Sequence, residues 1–228
     1  MSEFHKNIKR EIITTNDGSK TIHFPEINES YHSKHGALQE AEHVFIKSGL
    51  SQLKKSTISI LEVGFGTGLN AILSYIFAEN QAKIINYYGL EAFPVTEKEV
   101  HEIDYTKLSK LKNSKTEFQK LHKAEWNIES VISDNFKLTK IHSSLANFSP
   151  KEEAYDLIYF DAFGPRVQPE MWSKEVFDKL YKATRPNGIF VTYSCKGQVR
   201  RDLISAGFEV EKIPGPPGKR EMLRGIKA

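Results

Sequence analysis

Residues 58–70 read ISILEVGFGTGLN, and this stretch decides the fold. Ile58 to Val63 is a short apolar run ending in glycines, the pattern of a buried strand. Leu69, Ile72, Leu73, Ile76 and Phe77 then recur at i, i+3, i+4, i+7 and i+8, which marks one face of a helix. Between them stand Gly64, Gly66 and Gly68, in the strand-to-helix context that a nucleotide-type cofactor loop requires. Glycine lets backbone approach a ligand without a Cβ in the way, and the helix start offers free N–H donors. The spacing is G-x-G-x-G, with Leu69 where a dinucleotide fingerprint has its third glycine, so NAD and FAD are disfavoured. Glu62 would repel a pyrophosphate but can face a ligand bearing an ammonium and a sulfonium. Glu91 closes the next predicted strand, where a carboxylate can accept both hydroxyls of a ribose. A zwitterionic cofactor with a cationic centre fits; the competing reading is a tight turn with incidental exposed acids.

Working outward, strands and helices alternate from Ser56 onward, which predicts a parallel sheet with helices on both faces. Lys83 to Leu90, Phe136 to His142, Tyr155 to Phe160 and Gly188 to Ser194 read as the next strands, the last introduced by the turn Pro186-Asn187-Gly188. Thr96 with Glu99 forms a capping-box start, Ser173 heads a helix carrying Val176, Phe177, Leu180 and Tyr181, and a helix over Gln198 to Ala206 stops at Gly207. Phe208 to Ile213 and Glu221 to Ile226 are joined by Pro214-Gly215-Pro216-Pro217-Gly218, a connection short enough only for antiparallel neighbours. Upstream, Ile12 to Thr15 and Thr21 to Phe24 flank Asn16-Asp17-Gly18, a hairpin signal. Gly36 to Lys47 then carries Leu38, Ala41, Val44 and Phe45 at helical spacing. The prediction is an N-terminal hairpin-and-helix elaboration over residues 1–50, covering the crevice of a domain over residues 51–228. In this pattern that domain resembles the α/β architecture of class I S-adenosylmethionine-dependent methyltransferases, which implies a Rossmann-like, mostly parallel seven-stranded sheet ending in an antiparallel hairpin.

Length and composition set the outer bounds. The 228 residues fit one domain with a small elaboration, and 39% hydrophobic with 27% charged residues is the balance of a soluble globular chain. No apolar run approaches the roughly 20 residues a membrane helix needs, so no membrane partner is expected. The segment MSEFHKNIKREII lacks a signal-peptide apolar stretch, and the single Cys195 cannot form an internal disulfide, so a cytoplasmic location is expected. A net charge of +3 permits a nucleic-acid partner without demanding one. No His/Cys group has metal-ligand spacing, so no metal is expected.

Residues 155–165, YDLIYFDAFGP, place Asp161 at the carboxyl end of an apolar strand, the edge that faces the ligand crevice in open α/β sheets. An acid there can hydrogen-bond an amine nucleophile, orient its lone pair and accept the proton that methylation releases. It could equally cap the loop. Cys195 follows the fifth predicted strand, but nothing around it activates a thiol, so transfer to nitrogen is expected rather than to carbon.

Several segments sharpen this. Tyr31-His32-Ser33 with Glu40 to Phe45, Gly64 to Asn70, residues 160–172 (FDAFGPRVQPEMW), residues 197–208 (GQVRRDLISAGF) and residues 218–222 (GKREM) resemble the methyltransferase half of the bifunctional tRNA 5-methylaminomethyl-2-thiouridine biosynthesis family. The resemblance runs from about residue 15 to the end of the sequence. It implies methylation, with S-adenosyl-L-methionine, of the amine of 5-aminomethyl-uridine at the tRNA wobble position. Gly64, Gly66, Gly68, Asn70 and Glu91 would bind cofactor, Asp161 would lie between cofactor and amine, and Phe163, Pro165 and Trp172 would shape the pocket. Where many class I enzymes place an acid near the adenine, this chain has Ser143 and Ser144. The flavin-dependent half is absent, so a stand-alone form is expected, receiving the aminomethyl group from an upstream enzyme without a stable complex. An anticodon-loop base can be splayed out onto Tyr31, Phe163 and Trp172. Arg166, Lys196, Arg200, Arg201, Lys219, Arg220 and Arg224 could meet phosphates, Arg200 and Arg201 best because they adjoin a helix start. Rival readings are a small-molecule amine N-methyltransferase, an aminopropyltransferase relative, and a non-catalytic RNA-binding protein with this fold.

Overall fold

The computed structural model describes residues 8–228. Residues 1–7, part of the expected N-terminal elaboration and of the segment read as lacking a secretion signal, lie outside the described residues. Asn16-Asp17-Gly18 turns the chain between β1 (Glu11–Thr14) and β2 (Lys20–Phe24), which pair antiparallel, and β3 (Glu29–Ser30) adds a third strand beside β2. The Asp17 carboxylate holds the turn by accepting from the Thr15 hydroxyl (2.8 Å) and the Ser19 N–H (3.0 Å). The predicted helix over Gly36 to Lys47 is present as α1 (Ala37–Ala41) continued by a wider π-helical segment over Glu42–Lys47. Ile22, Phe24, Ala37, Leu38, Val44 and Phe45 are buried in the same core as the strands that follow.

Among the described residues, eight strands make the main sheet: β4 (Thr57–Val63), β5 (Ile84–Glu91), β6 (Glu129–Ser133), β7 (Phe136–His142), β8 (Tyr155–Phe160), β9 (Thr184–Thr192), β10 (Glu209–Pro214) and β11 (Glu221–Ile226). Their order is β10-β11-β9-β8-β4-β5-β7-β6. β9, β8, β4, β5 and β7 run parallel, and β11 lies antiparallel between β9 and β10, as the short proline-glycine connection demands. The expected count of seven strands is corrected to eight. The additional one, β6, pairs antiparallel with β7 at the sheet edge and breaks register between Val131 and Ser133. A short, bulged strand whose Val131 is 65% exposed carries no apolar alternation to read. β9 also starts earlier than expected. Asn187 (φ 61) donates its N–H to Lys227 and Gly188 accepts from the Lys227 N–H, which draws the predicted turn into the sheet as an irregularity.

Strand periodicity explains the two-sided core. In β4, Ile58 and Ile60 belong to one core while Leu61 and Val63 belong to the other; in β8, Leu157 and Tyr159 oppose Ile158 and Phe160. The first core takes in α2 (Leu69–Gln81) and, past α3 (Glu97–Ile103), α4 (Lys115–Lys123); the second takes in α5 (Lys174–Ala183) and α6 (Gly197–Ala206). The Thr96–Glu99 capping box forms at the head of α3, and Gly207 closes α6 in the left-handed conformation (φ 116). β4 pairs with β5 on one side and with β8 on the other, and this switch in winding opens a crevice at the carboxyl ends of the three strands.

Candidate active site

Between β4 and α2 the backbone turns through positive φ at Gly64 (94°), Gly66 (49°) and Gly68 (73°). A Cβ on Gly64 would stand 2.7 Å from the Asp161 carbonyl oxygen, and one on Gly66 would stand 2.9 Å from the Tyr31 ring. The loop therefore threads between the strand-end acid and an N-terminal aromatic with no room for a side chain. The N–H groups of Gly64 and Phe65 both donate to the Leu90 carbonyl at 3.0 Å. Glu91 holds the opposite wall: Oε2 accepts from the Gly66 N–H at 2.9 Å and Oε1 from the Phe93 N–H at 2.8 Å. Each oxygen keeps acceptor capacity for a further hydroxyl.

A cavity of about 410 Å³ opens here, walled by the glycine loop, by Tyr31 and Glu40 from the N-terminal elements, by Glu91 and Ser143, by Asp161 and Phe163, and by Lys219. Asn70 links its acids. Its amide Nδ2 donates to Glu62 Oε1 (2.8 Å) and to Asp161 Oδ2 (2.9 Å), while its buried Oδ1 has no partner within the protein. Burial, reinforced by the Glu40 charge and opposed by the Asn70 hydrogen bond and Lys219, pushes the Asp161 carboxyl up to about 7. Glu62 is fully buried beneath the loop and is not part of the cavity wall. Burial holds its carboxyl well above the usual carboxylate range, so its neutral form is favoured and its reach to a ligand runs through Asn70.

Phe24, Tyr31 and Phe163 pack mutually, with ring centroids 5.2 to 5.7 Å apart, and all three border the cavity. Trp172 stands behind the wall: it packs edge-on against Phe160 and its Nε1–H donates to the Phe163 carbonyl at 2.7 Å. The Tyr193 hydroxyl donates to the Ala162 carbonyl at 2.8 Å, so two aromatic side chains pin the loop after β8. Pro165 is outside the cavity wall; its neighbour Arg166 donates to the Ile27 carbonyl at 3.0 Å, tying this loop to the N-terminal segment. Ser143 lines the cavity and Ser144 does not. Arg200, Arg201 and Arg220 lie outside it, Arg201 against Gln198 and Arg220 exposed to solvent. Lys219 instead turns inward, its Nζ 2.7 Å from Glu40 Oε1 and 4.0 Å from the Tyr193 ring centroid. Glu40 and Tyr193 did not emerge as site residues from the sequence. The signal available was Glu40 itself, an acid in one turn with Ala37, Leu38 and Ala41, all buried. Cys195 is exposed, and no group of three metal-binding side chains occurs among the described residues.

A family described as S-adenosyl-L-methionine-dependent methyltransferase matches residues 98–228. The chain is 28% identical over 98% of its length to the tRNA 5-methylaminomethyl-2-thiouridine biosynthesis bifunctional protein MnmC of Hydrogenovibrio crunogenus. It is 32% identical over 87% of its length to the protein of the same name from Pseudoalteromonas atlantica. It spans 35% and 31% of those two proteins, about a third of each. Among solved structures, MNMC2 from Aquifex aeolicus superposes with a TM-score of 0.71 at 23% identity, over 97% of this chain and 71% of that one, a likeness of fold.

Proposed function

The chain belongs to the S-adenosyl-L-methionine-dependent methyltransferase family, and from that premise we propose that it methylates the amine of 5-aminomethyl-uridine at the wobble position of tRNA, giving 5-methylaminomethyl(-2-thio)uridine. The observation that carries the reading is Asp161: a carboxylate in the cavity wall beside the glycine loop, held by Asn70 and poised at about 7. The name of the relatives, tRNA 5-methylaminomethyl-2-thiouridine biosynthesis bifunctional protein, points to the acceptor.

The residues present fit the cofactor. Asn70 Oδ1, buried and without a partner, can accept from an ammonium, and Glu91 offers a carboxylate to vicinal hydroxyls. Ser143 stands in the wall near Glu91, suited to the adenine side. S-adenosylmethionine supplies an electrophilic methyl group on a sulfonium. The protein's part is to bring an amine lone pair to it. Near neutral pH a large share of Asp161 is ionised, so it can take a proton from the incoming ammonium and align the resulting amine. Tyr31 and Phe163 offer ring faces to a splayed base and exclude water, with Trp172 and Tyr193 fixing the Phe163 loop from behind. Arg200, Arg201 and Arg220, outside the cavity, would meet backbone phosphates. Such a substrate implies a cytoplasmic enzyme that follows a reaction installing the aminomethyl group; no helix among the described residues is long and apolar enough to cross a membrane.

The test is transfer of labelled methyl from S-adenosylmethionine to tRNA carrying 5-aminomethyl-uridine, against tRNA lacking that group. Wild type should methylate only the first, and Asp161→Ala should lose about 100-fold or more, the scale of a positioned acid–base group. Transfer to free amines but not to tRNA would make the chain a small-molecule N-methyltransferase.

A further inference from the structure

Glu40 is a carboxylate at 8% exposure, placed on a short helix packed into the core. Its Oε2 is fixed by the Ser33 N–H at 2.8 Å, and the residue lines the cavity. A buried carboxylate demands a cation, and here the cation is the chain's own: the Lys219 ammonium, 2.7 Å from Oε1 and 4.0 Å from the centre of the Tyr193 ring. Tyr193 is itself anchored next to Asp161 through the Ala162 carbonyl. A primary ammonium on an alkyl stem therefore already occupies a box made of one carboxylate and one aromatic face, in the cavity that contains Asp161.

We propose that Glu40 and the face of Tyr193 form the acceptor-ammonium subsite of this cavity, and that Lys219 fills it until a substrate's primary ammonium takes its place. The inference deepens the reading of the chain as an amine methyltransferase and rests on it. The exchange is isoelectric, one primary ammonium for another, so Glu40 keeps a cationic partner while the substrate enters. Lys219 is suited to leave: its side chain is 34% exposed, it stands in the turn between β10 and β11, and Glu40 is the carboxylate it bonds. Glu40 is suited to stay, because the Ser33 N–H and its helix hold it. The subsite selects a charged amine over a hydroxyl or a ring carbon, since a neutral group would strand the carboxylate. Once the ammonium is seated, its proton passes to the Asp161 carboxylate, leaving a neutral Asp161 and R–NH2, which still donates an N–H to Glu40 until methyl transfer makes the nitrogen cationic again.

The experiment reads the subsite with and without the reaction. n-Butylammonium is titrated into full-length Lys219→Ala, and binding is followed by thermal shift and calorimetry, with 1-butanol as the neutral control. Lys219→Ala should bind butylammonium and not butanol; wild type and Lys219→Ala/Glu40→Gln should bind neither. In the methyl-transfer assay, Glu40→Gln, which keeps an acceptor for Ser33, should raise KM for aminomethyl tRNA by about 10- to 100-fold, the worth of a charged hydrogen bond, with S-adenosylmethionine affinity unchanged. Equal butylammonium binding with and without Glu40 would overturn the proposal. So would loss of S-adenosylmethionine affinity in either single variant, because the pair would then hold the cofactor's own charged end. Should Lys219→Ala not fold, the Glu40→Gln KM decides. If wild type methylates no tRNA, the proposed substrate falls while the butylammonium titration still reads the subsite.

Discussion

Asp161 departs from an ordinary side chain in solution, and its departure has two measurable signs. Its carboxyl is raised from 3.8 to about 7, chiefly by burial, with Glu40 adding to the rise and Asn70 and Lys219 opposing it. As the proton acceptor it must be ionised, so kcat/KM should climb with pH through a limb near 7. The same shift costs stability. The folded state holds the proton over a range where the unfolded state has released it, so stability falls as pH rises from 3.8 to about 7 and stays reduced above. Asp161→Asn, which cannot ionise and still offers Asn70 an acceptor, should therefore gain Tm relative to wild type as pH is raised from 4 to 8. Parallel melting curves across that range would settle the sign, and a constant difference would contradict the burial argument.

At the scale of elements, the loop after β8 is where local chemistry and packing meet. Trp172, from the turn before α5, donates to the Phe163 carbonyl, while its ring lies against Phe160. Trp172→Phe keeps the aromatic contact and deletes the donor. It should cost about 1 kcal/mol in denaturant unfolding and lower turnover more than cofactor affinity, because the loop carries Phe163 rather than the glycine cradle. Elements were legible in the sequence where a local rule was strong. The Thr96–Glu99 capping box, the Gly207 helix stop and the β10–β11 turn each announce themselves within a few residues. β6 did not, because an edge strand facing solvent is under no pressure to alternate. Gly64, Gly66, Glu91 and Asp161, read from strand ends and the glycine loop, line the cavity; Asn70 came from the family resemblance, and Glu62, read as facing the ligand, lies beneath the loop because the strand end that carries it is fully buried. Glu40 and Tyr193 were not, since their significance arises only when distant segments meet. Lys219 was read as one cation of a basic run, and nothing local to GKREM distinguishes the lysine that turns inward from the arginine beside it that stays outside.

The whole molecule joins its first and last segments across the crevice. Ile22, Phe24, Ala37, Leu38, Val44 and Phe45 complete the core beneath β4 and β8, so deletion of residues 1–48 should yield a chain without a cooperative melt by circular dichroism rather than a trimmed enzyme. On the outer surface, Arg200→Ala/Arg201→Ala should flatten the dependence of log K for tRNA on log salt by about two units of slope if each arginine meets one phosphate; an unchanged slope would move the RNA elsewhere. The Glu40–Lys219 pair spans 179 positions, which has a consequence for timing. On a ribosome adding roughly 5–20 residues per second, the carboxylate emerges on the order of 10–40 s before its lysine. Through that interval the nascent chain holds an acid that cannot be buried without protonation, and one wall of its cavity does not yet exist. Closure of the site therefore waits until Lys219 has emerged.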